Sequence, residues 1–185
     1  MEVLPASEGT LYLGRMVNFA HFHDAEISHR ISRGWAAFGK FKQELCCKHY
    51  PLKSRLKLFN ATVTATVLYG SGAWTMTKAR EQLLQTNMRR ILRKLFGCPR
   101  KVESDTQIGD SWVEWIVRAT HSVEDAMRHL SIPGWVEAQR DRKRQLVRKV
   151  SDSTDNRWSK QLLDWQPTTG FRCVGLPCTR WADGI

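Results

Sequence analysis

Thr77-Lys78-Ala79-Arg80-Glu81-Gln82-Leu83-Leu84-Gln85-Thr86-Asn87-Met88-Arg89-Arg90-Ile91-Leu92-Arg93-Lys94-Leu95-Phe96-Gly97 reads as one amphipathic helix. Leu84, Met88, Ile91 and Leu95 recur at three- and four-residue intervals, the period of a helix with one apolar face. Thr77 supplies an N-cap, and Gly97 with Pro99 behind it supplies a stop. That face leaves Arg89/Arg93 and Arg90/Lys94, each pair four residues apart, on its flanks near the negative end of the helix dipole.

Working back from Thr77, two glycines interrupt Leu68-Tyr69-Gly70-Ser71-Gly72-Ala73-Trp74, so a connection is expected there. Before it, a helix opening at Pro51 puts Leu52, Leu56, Phe59, Val63 and Val67 on one side, with Lys53, Arg55 and Lys57 crowding its start. Earlier still, Ile27, Ile31, Trp35, Phe38 and Leu45 follow Asp24, a candidate N-cap, and predict a helix that ends before Pro51. Arg33, Lys40 and Lys42 fall mostly off that stripe. Leu11-Tyr12-Leu13-Gly14-Arg15-Met16-Val17 is short, partly aromatic or β-branched and carries a glycine, which suits a strand or hairpin edge.

Beyond Gly97 the composition turns polar and uneven, and residues 99–110 read as a linker. From Ser111, the spacing of Trp112, Trp115, Ile116, Ala119, Val123, Ala126 and Leu130 predicts a helix closed by Ser131-Ile132-Pro133-Gly134. A further helix carries the densest positive run, Arg140-Asp141-Arg142-Lys143-Arg144 with Arg148-Lys149, and only a thin apolar edge at Leu146, Val147 and Val150. A short helix around Trp158 to Trp165 precedes a glycine- and proline-marked arm, residues 167–185. The expected fold is mainly α: a strand element at 1–22, a three-helix unit at 23–98, a second small helical unit at 111–166, then the extended arm.

The 185 residues carry 29 Lys and Arg against 18 Asp and Glu, a formal charge of +11 that favours a polyanion, above all nucleic acid, over a small acidic substrate. No charged start precedes an apolar run, and no run is long enough to span a bilayer. Five irregularly spaced cysteines, Cys46, Cys47, Cys98, Cys173 and Cys178, suit a reducing compartment, so nucleus or cytoplasm is expected and a membrane partner is not.

Basic residues on helix flanks can replace the counterions of a phosphate chain, or can simply be a solvated face. The candidates for backbone contact are Arg33, Lys40, Lys53, Arg55, Lys57, Arg89, Arg90, Arg93, Lys94, Arg142, Lys143, Arg144, Arg148 and Arg180. Among eight tryptophans, Trp35, Trp112 and Trp115 lie on apolar stripes and are expected in the core, whereas Trp74 and Trp181 are expected to be more open. Cys173 and Cys178 could join Cys46-Cys47 or His21 and His23 around zinc, but adjacent cysteines on a helix diverge, and no metal site is expected. Polymerase chemistry needs magnesium on clustered carboxylates. The aspartates here include no Asp-Asp pair, so no catalytic residue is assigned and no small-molecule substrate is expected.

In order and spacing, these residues resemble the region after the catalytic palm in non-LTR (LINE-type) retrotransposon reverse transcriptases. Tyr12-Leu13-Gly14 is similar to the strand of that family's primer grip, and Arg30-Ile31 with Trp35 to the helix after it. Leu68-Tyr69-Gly70, Ala73-Trp74 and Thr77 resemble the thumb signature, and Met88-Arg89-Arg90-Ile91-Leu92 a helix within it. Trp158, Trp165, Pro167, Gly175, Pro177, Arg180-Trp181 and Asp183 resemble the late Trp, Gly-Arg-Pro and Arg-Trp-x-Asp signature, although Leu176 stands where the family has arginine.

The resemblance implies a thumb-like unit at 23–98 that closes on an RNA/DNA template-primer or duplex by backbone contacts. It implies magnesium only for the full-length enzyme, whose fingers, palm and endonuclease are not in this sequence. Two functional readings follow: a fragment that still holds nucleic acid, and a decayed remnant without activity. An active reverse transcriptase would need carboxylates from another chain.

Overall fold

A computed structural model of the chain describes residues 9–18, 20–98, 111–154, 158–164 and 181. The fold is mainly helical behind a short N-terminal hairpin. Strands β1 (Thr10–Tyr12) and β2 (Arg15–Val17) pair antiparallel, with Leu11 opposite Met16. Their turn places Leu13 at φ 48° and Gly14 at φ 75°, the backbone of a tight two-residue hairpin. Only Gly14 adopts this freely; the cost at Leu13 is roughly 1–2 kcal/mol.

Helix α1 (Phe22–Lys40) starts earlier than the sequence suggests: His21 occupies the N-cap position, and Asp24 lies in the first turn, where Arg80 Nε approaches its carboxylate to 2.7 Å. The helix also breaks at Phe41, and a separate short α2 (Lys42–Cys46) carries Leu45 into the core. The apolar stripe runs on across the break because Phe38 and Leu45, one on each side of it, are both buried.

Helix α3 (Leu52–Phe59) passes through a π-helical turn, Asn60–Thr64, into α4 (Ala65–Val67), and Leu56, Phe59, Val63 and Val67 all face inward. Thr62 and Thr66 donate their hydroxyls to the carbonyls of Leu58 and Thr62, a back-bonding that often bends helices. A 3-10 turn, Ser71–Ala73, then leads to α5 (Lys78–Phe96). Thr77 accepts from the Arg80 amide at 3.4 Å, and Gly97 closes the helix at φ 61°, so both ends agree with the sequence reading.

Helix α5 packs against α1, α2, α6 (Trp112–His129) and α7 (Trp135–Ser151). Ser111 and Glu114 form a reciprocal capping box at the start of α6. One apolar cluster joins Ile27, Phe59, Leu84 and Ile91 to Val123, Trp135 and Val136 from the later helices. Trp135 is the clasp: its ring stacks on Phe59 at 6.2 Å, and its indole Nε1 donates to Thr64 Oγ1 at 2.9 Å.

Helix α7 buries Trp135, Val136, Gln139 and Lys143 instead of the Leu146, Val147 and Val150 edge that the sequence offers. Gln139 Nε2 donates to the Ser71 carbonyl at 3.1 Å, and a Cβ on Gly72 would lie 3.2 Å from the Arg142 carbonyl. The two-glycine connection is therefore a contact surface for α7. Helix α8 (Trp158–Asp164) follows. The arm at 167–185 lies outside the described residues except for Trp181, whose Nε1 donates to the Gly72 carbonyl at 2.9 Å.

Candidate nucleic-acid interface

The buried face of α5 dictates where its cations go. With Leu84, Met88, Ile91, Leu92 and Leu95 inside, residues 89, 90, 93 and 94 must line the flanks. Arg89 leans toward α6, its Nη2 2.7 Å from Glu124 Oε1, and Arg93 Nη1 donates to Thr120 Oγ1 at 3.0 Å. Lys94 folds toward α1, its Nζ 5.2 Å from the centre of the Trp35 ring. Among the described residues, Arg90, Arg93 and Lys94 have no carboxylate within ion-pair range.

Cations near a helix C-terminus offset its dipole. One or two suffice for that, and four leave a surplus positive field. Burial, followed by the charges of Arg90 and Arg89, pushes the Arg93 pKa below that of a free guanidinium, which marks a place where an anion would relieve repulsion.

Beside these cations, Trp35, Gly97, Cys98 and Trp115 complete a cleft of about 490 Å³. Trp35 donates its Nε1 to Asn87 Oδ1 and Trp115 donates to the Cys98 carbonyl, both at 3.2 Å. With both N–H groups occupied, the indoles offer the cleft ring surface and no donor. Trp35 and Trp115 are half-buried wall residues; Trp35 also packs against the core, edge-on to Phe38, as expected. Trp112 departs further from expectation: it is 61% exposed, because α6 turns Ala119 and Val123 inward and leaves its first turn outside. Trp74, expected to be open, is fully buried within the common apolar cluster.

Several expected phosphate contacts are corrected. Arg55 is buried and donates from Nη1 to the carbonyls of Leu45 and Leu95 at 3.2 and 2.9 Å, so it ties α2 to the end of α5. Arg142 turns inward to the Leu68 carbonyl, and burial pushes its pKa down. Lys143 is 2% exposed, bonded to the Trp181 carbonyl and 5.0 Å from the Trp181 ring centre. Arg144 is paired with Asp141, while Arg148 is exposed. The densest positive run in the sequence is therefore partly a structural clasp. Arg33, Lys40, Lys53 and Lys57 are exposed on α1 and α3. Arg180 lies outside the described residues, as do Cys173 and Cys178.

Tyr12 and Leu13 form an exposed apolar hairpin tip at Gly14. Behind the tip, Arg30 donates to the Gly14 carbonyl, lies 4.5 Å from the Tyr69 ring centre and pairs through Nε with the wholly buried Glu26 at 2.9 Å. The Tyr69 hydroxyl donates to the Leu13 carbonyl at 3.4 Å. Residues from three separate motifs thus meet on one guanidinium. Glu26 itself escapes sequence reasoning, since a lone glutamate in a helix looks like surface charge.

Asp24, Glu26, Glu81, Glu124, Asp125 and Asp141 each face an arginine, and among the described residues no three His, Cys, Asp or Glu groups converge. No helix among the described residues is long and apolar enough to cross a membrane.

A transposon-derived protein of Caenorhabditis elegans is 28% identical to the chain over 177 residues, which cover 95% of this chain and 58% of that protein. The chain thus spans under two thirds of its relative's length, and the likeness indicates a transposon origin. No family model and no solved structure matches the chain.

Proposed function

We propose that the chain is the thumb and C-terminal portion of a non-LTR retrotransposon reverse transcriptase, and that it holds template-primer or duplex nucleic acid by sequence-independent backbone contacts. The similarity to a transposon-derived protein supports the origin. The meeting of Gly14, Arg30 and Tyr69 supports the assignment, because these are residues of three motifs that resemble that family. One observation carries the binding role: Arg90, Arg93 and Lys94 converge at one end of α5, and among the described residues they have no carboxylate partner.

The contact is electrostatic and reads no sequence, as expected when cations displace counterions from phosphates. Three such contacts imply about a 40-fold loss of affinity for a short duplex between 50 and 200 mM salt, from a slope of about −0.9 per phosphate. Reversing the charge of Arg89, Arg90 and Arg93 together weakens binding to all sequences alike. A flat salt response leaves the decayed remnant as the better account.

A further inference from the structure

We propose that the cleft between α1, α5 and the start of α6 holds an unpaired nucleotide of a single strand, with its phosphate on Arg90 and Arg93 and its base against Trp115. This rests on the nucleic-acid reading above and narrows it to one strand form at one place.

A duplex backbone calls only for cations, and its paired bases have no use for indole walls. This cleft has both: a cationic rim from α5, and ring surface from Trp35 and Trp115. Its volume of about 490 Å³ lies within the range of about 300–1,000 Å³ usual for small-ligand pockets. Lys94 already lies over the Trp35 ring, which leaves Trp115 as the open platform, for it makes no ring or cation contact among the described residues. Since the indole donors are spent on Asn87 and Cys98, recognition is by stacking, which tolerates any base.

Trp112 extends the same surface. It stands three residues before Trp115 on α6, hence beside it on the helix, and it is 61% exposed. Among the described residues it belongs to no apolar cluster. As the next stacking ring along the strand, it has a role.

The test uses the full chain, with fluorescein-labelled dT12 and U12 as single strands and a 12-base-pair duplex, read by anisotropy at constant salt. Trp112→Ala, an exposed site that leaves the core alone, and Trp115→Leu should each weaken single-strand binding by about tenfold, the scale of one lost base stack. Both should leave duplex affinity unchanged, and Arg90→Gln should weaken both forms. Equal losses for dT12 and U12 fit stacking alone, whereas a difference adds to it a contact with the sugar 2′-hydroxyl or the thymine methyl.

If Trp112→Ala binds dT12 and U12 as well as the parent, or loses duplex and single strand equally, the inference is overturned while the backbone-binding reading stands. If the unaltered chain binds neither form, both are overturned. Should Trp115→Leu fail to melt cooperatively, Trp112→Ala alone decides.

Discussion

Arg30 and Glu26 sit one turn apart on α1, with Nε and Oε1 separated by 2.9 Å, and the carboxylate is wholly enclosed. Its second oxygen accepts from the Met16 amide, and Arg15 Nε stands 3.7 Å from the first. The pair therefore fixes the hairpin to the helical body, since the hairpin has only two strands and could not persist alone.

Glu26→Ala leaves two arginines beside an apolar core without their anion, and breaking a buried pair in this way costs about 3–5 kcal/mol. Thermal melting should show a lower midpoint, and hydrogen exchange should show faster exchange of the Met16 amide. A variant that melts with the parent would mean that the pair holds nothing.

A second prediction sets two glycines of one helix against each other. A Cβ on Gly34 would collide with Cγ2 of Val67 where α1 crosses α4, whereas one on Gly39 meets nothing within 4 Å. Gly34→Ala should destabilise by about 1–3 kcal/mol through overpacking, in spite of better helix propensity. Gly39→Ala should stabilise by about 0.5–1 kcal/mol. Denaturant midpoints that shift in the same direction for both would contradict the close approach of the helices.

These cases show which kinds of information the sequence carries openly. Both ends of α5 are legible, because Thr77 and Gly97 act on backbone groups within a few residues of themselves. The cation cluster follows from the period of the same helix. The break at Phe41 is hidden, since the apolar spacing passes over it and no proline marks it. Lys143 and Trp74 mislead for one shared reason: their surroundings come from far along the chain, Trp181 in the first case and an apolar cluster drawn from several helices in the second. The cleft itself joins Trp35, Lys94 and Trp115 from three helices, so no local pattern announces it.

His23 predicts a dependence on pH. Burial, with Arg80 and Arg15 adding to it, lowers its pKa from the usual 6.5 against the pull of Asp24, and its Nδ1 is buried without a hydrogen-bond partner. A histidine with a lowered folded pKa contributes stability that is present above about 6.5 and is lost as pH falls from there through the folded value. Asp24 is also depressed, chiefly by its hydrogen bond to Arg80, but its loss comes only below the usual carboxylate pKa of 3.8. The melting temperature should fall between pH 7.5 and 5.5, and His23→Gln should shrink that fall. An unchanged fall in the variant would assign it to another group.

The last prediction separates two arginines that look alike in the sequence. Arg55 spends its guanidinium on the Leu45 and Leu95 carbonyls, whereas Arg90 lines the cleft. Arg55→Met removes charge-assisted bonds from buried acceptors, each worth about 1.5–3 kcal/mol. For a chain of this size each kilocalorie lowers the melting temperature by about 2–4 °C. Because Arg55 is buried, its loss should leave the salt dependence of duplex binding as it was. Arg90→Met should do the reverse: the melting temperature holds, and the slope of log affinity against log salt shrinks by about 0.9, the share of one phosphate. A slope that shrinks for Arg55→Met and holds for Arg90→Met would move the contact surface from the end of α5 to α3.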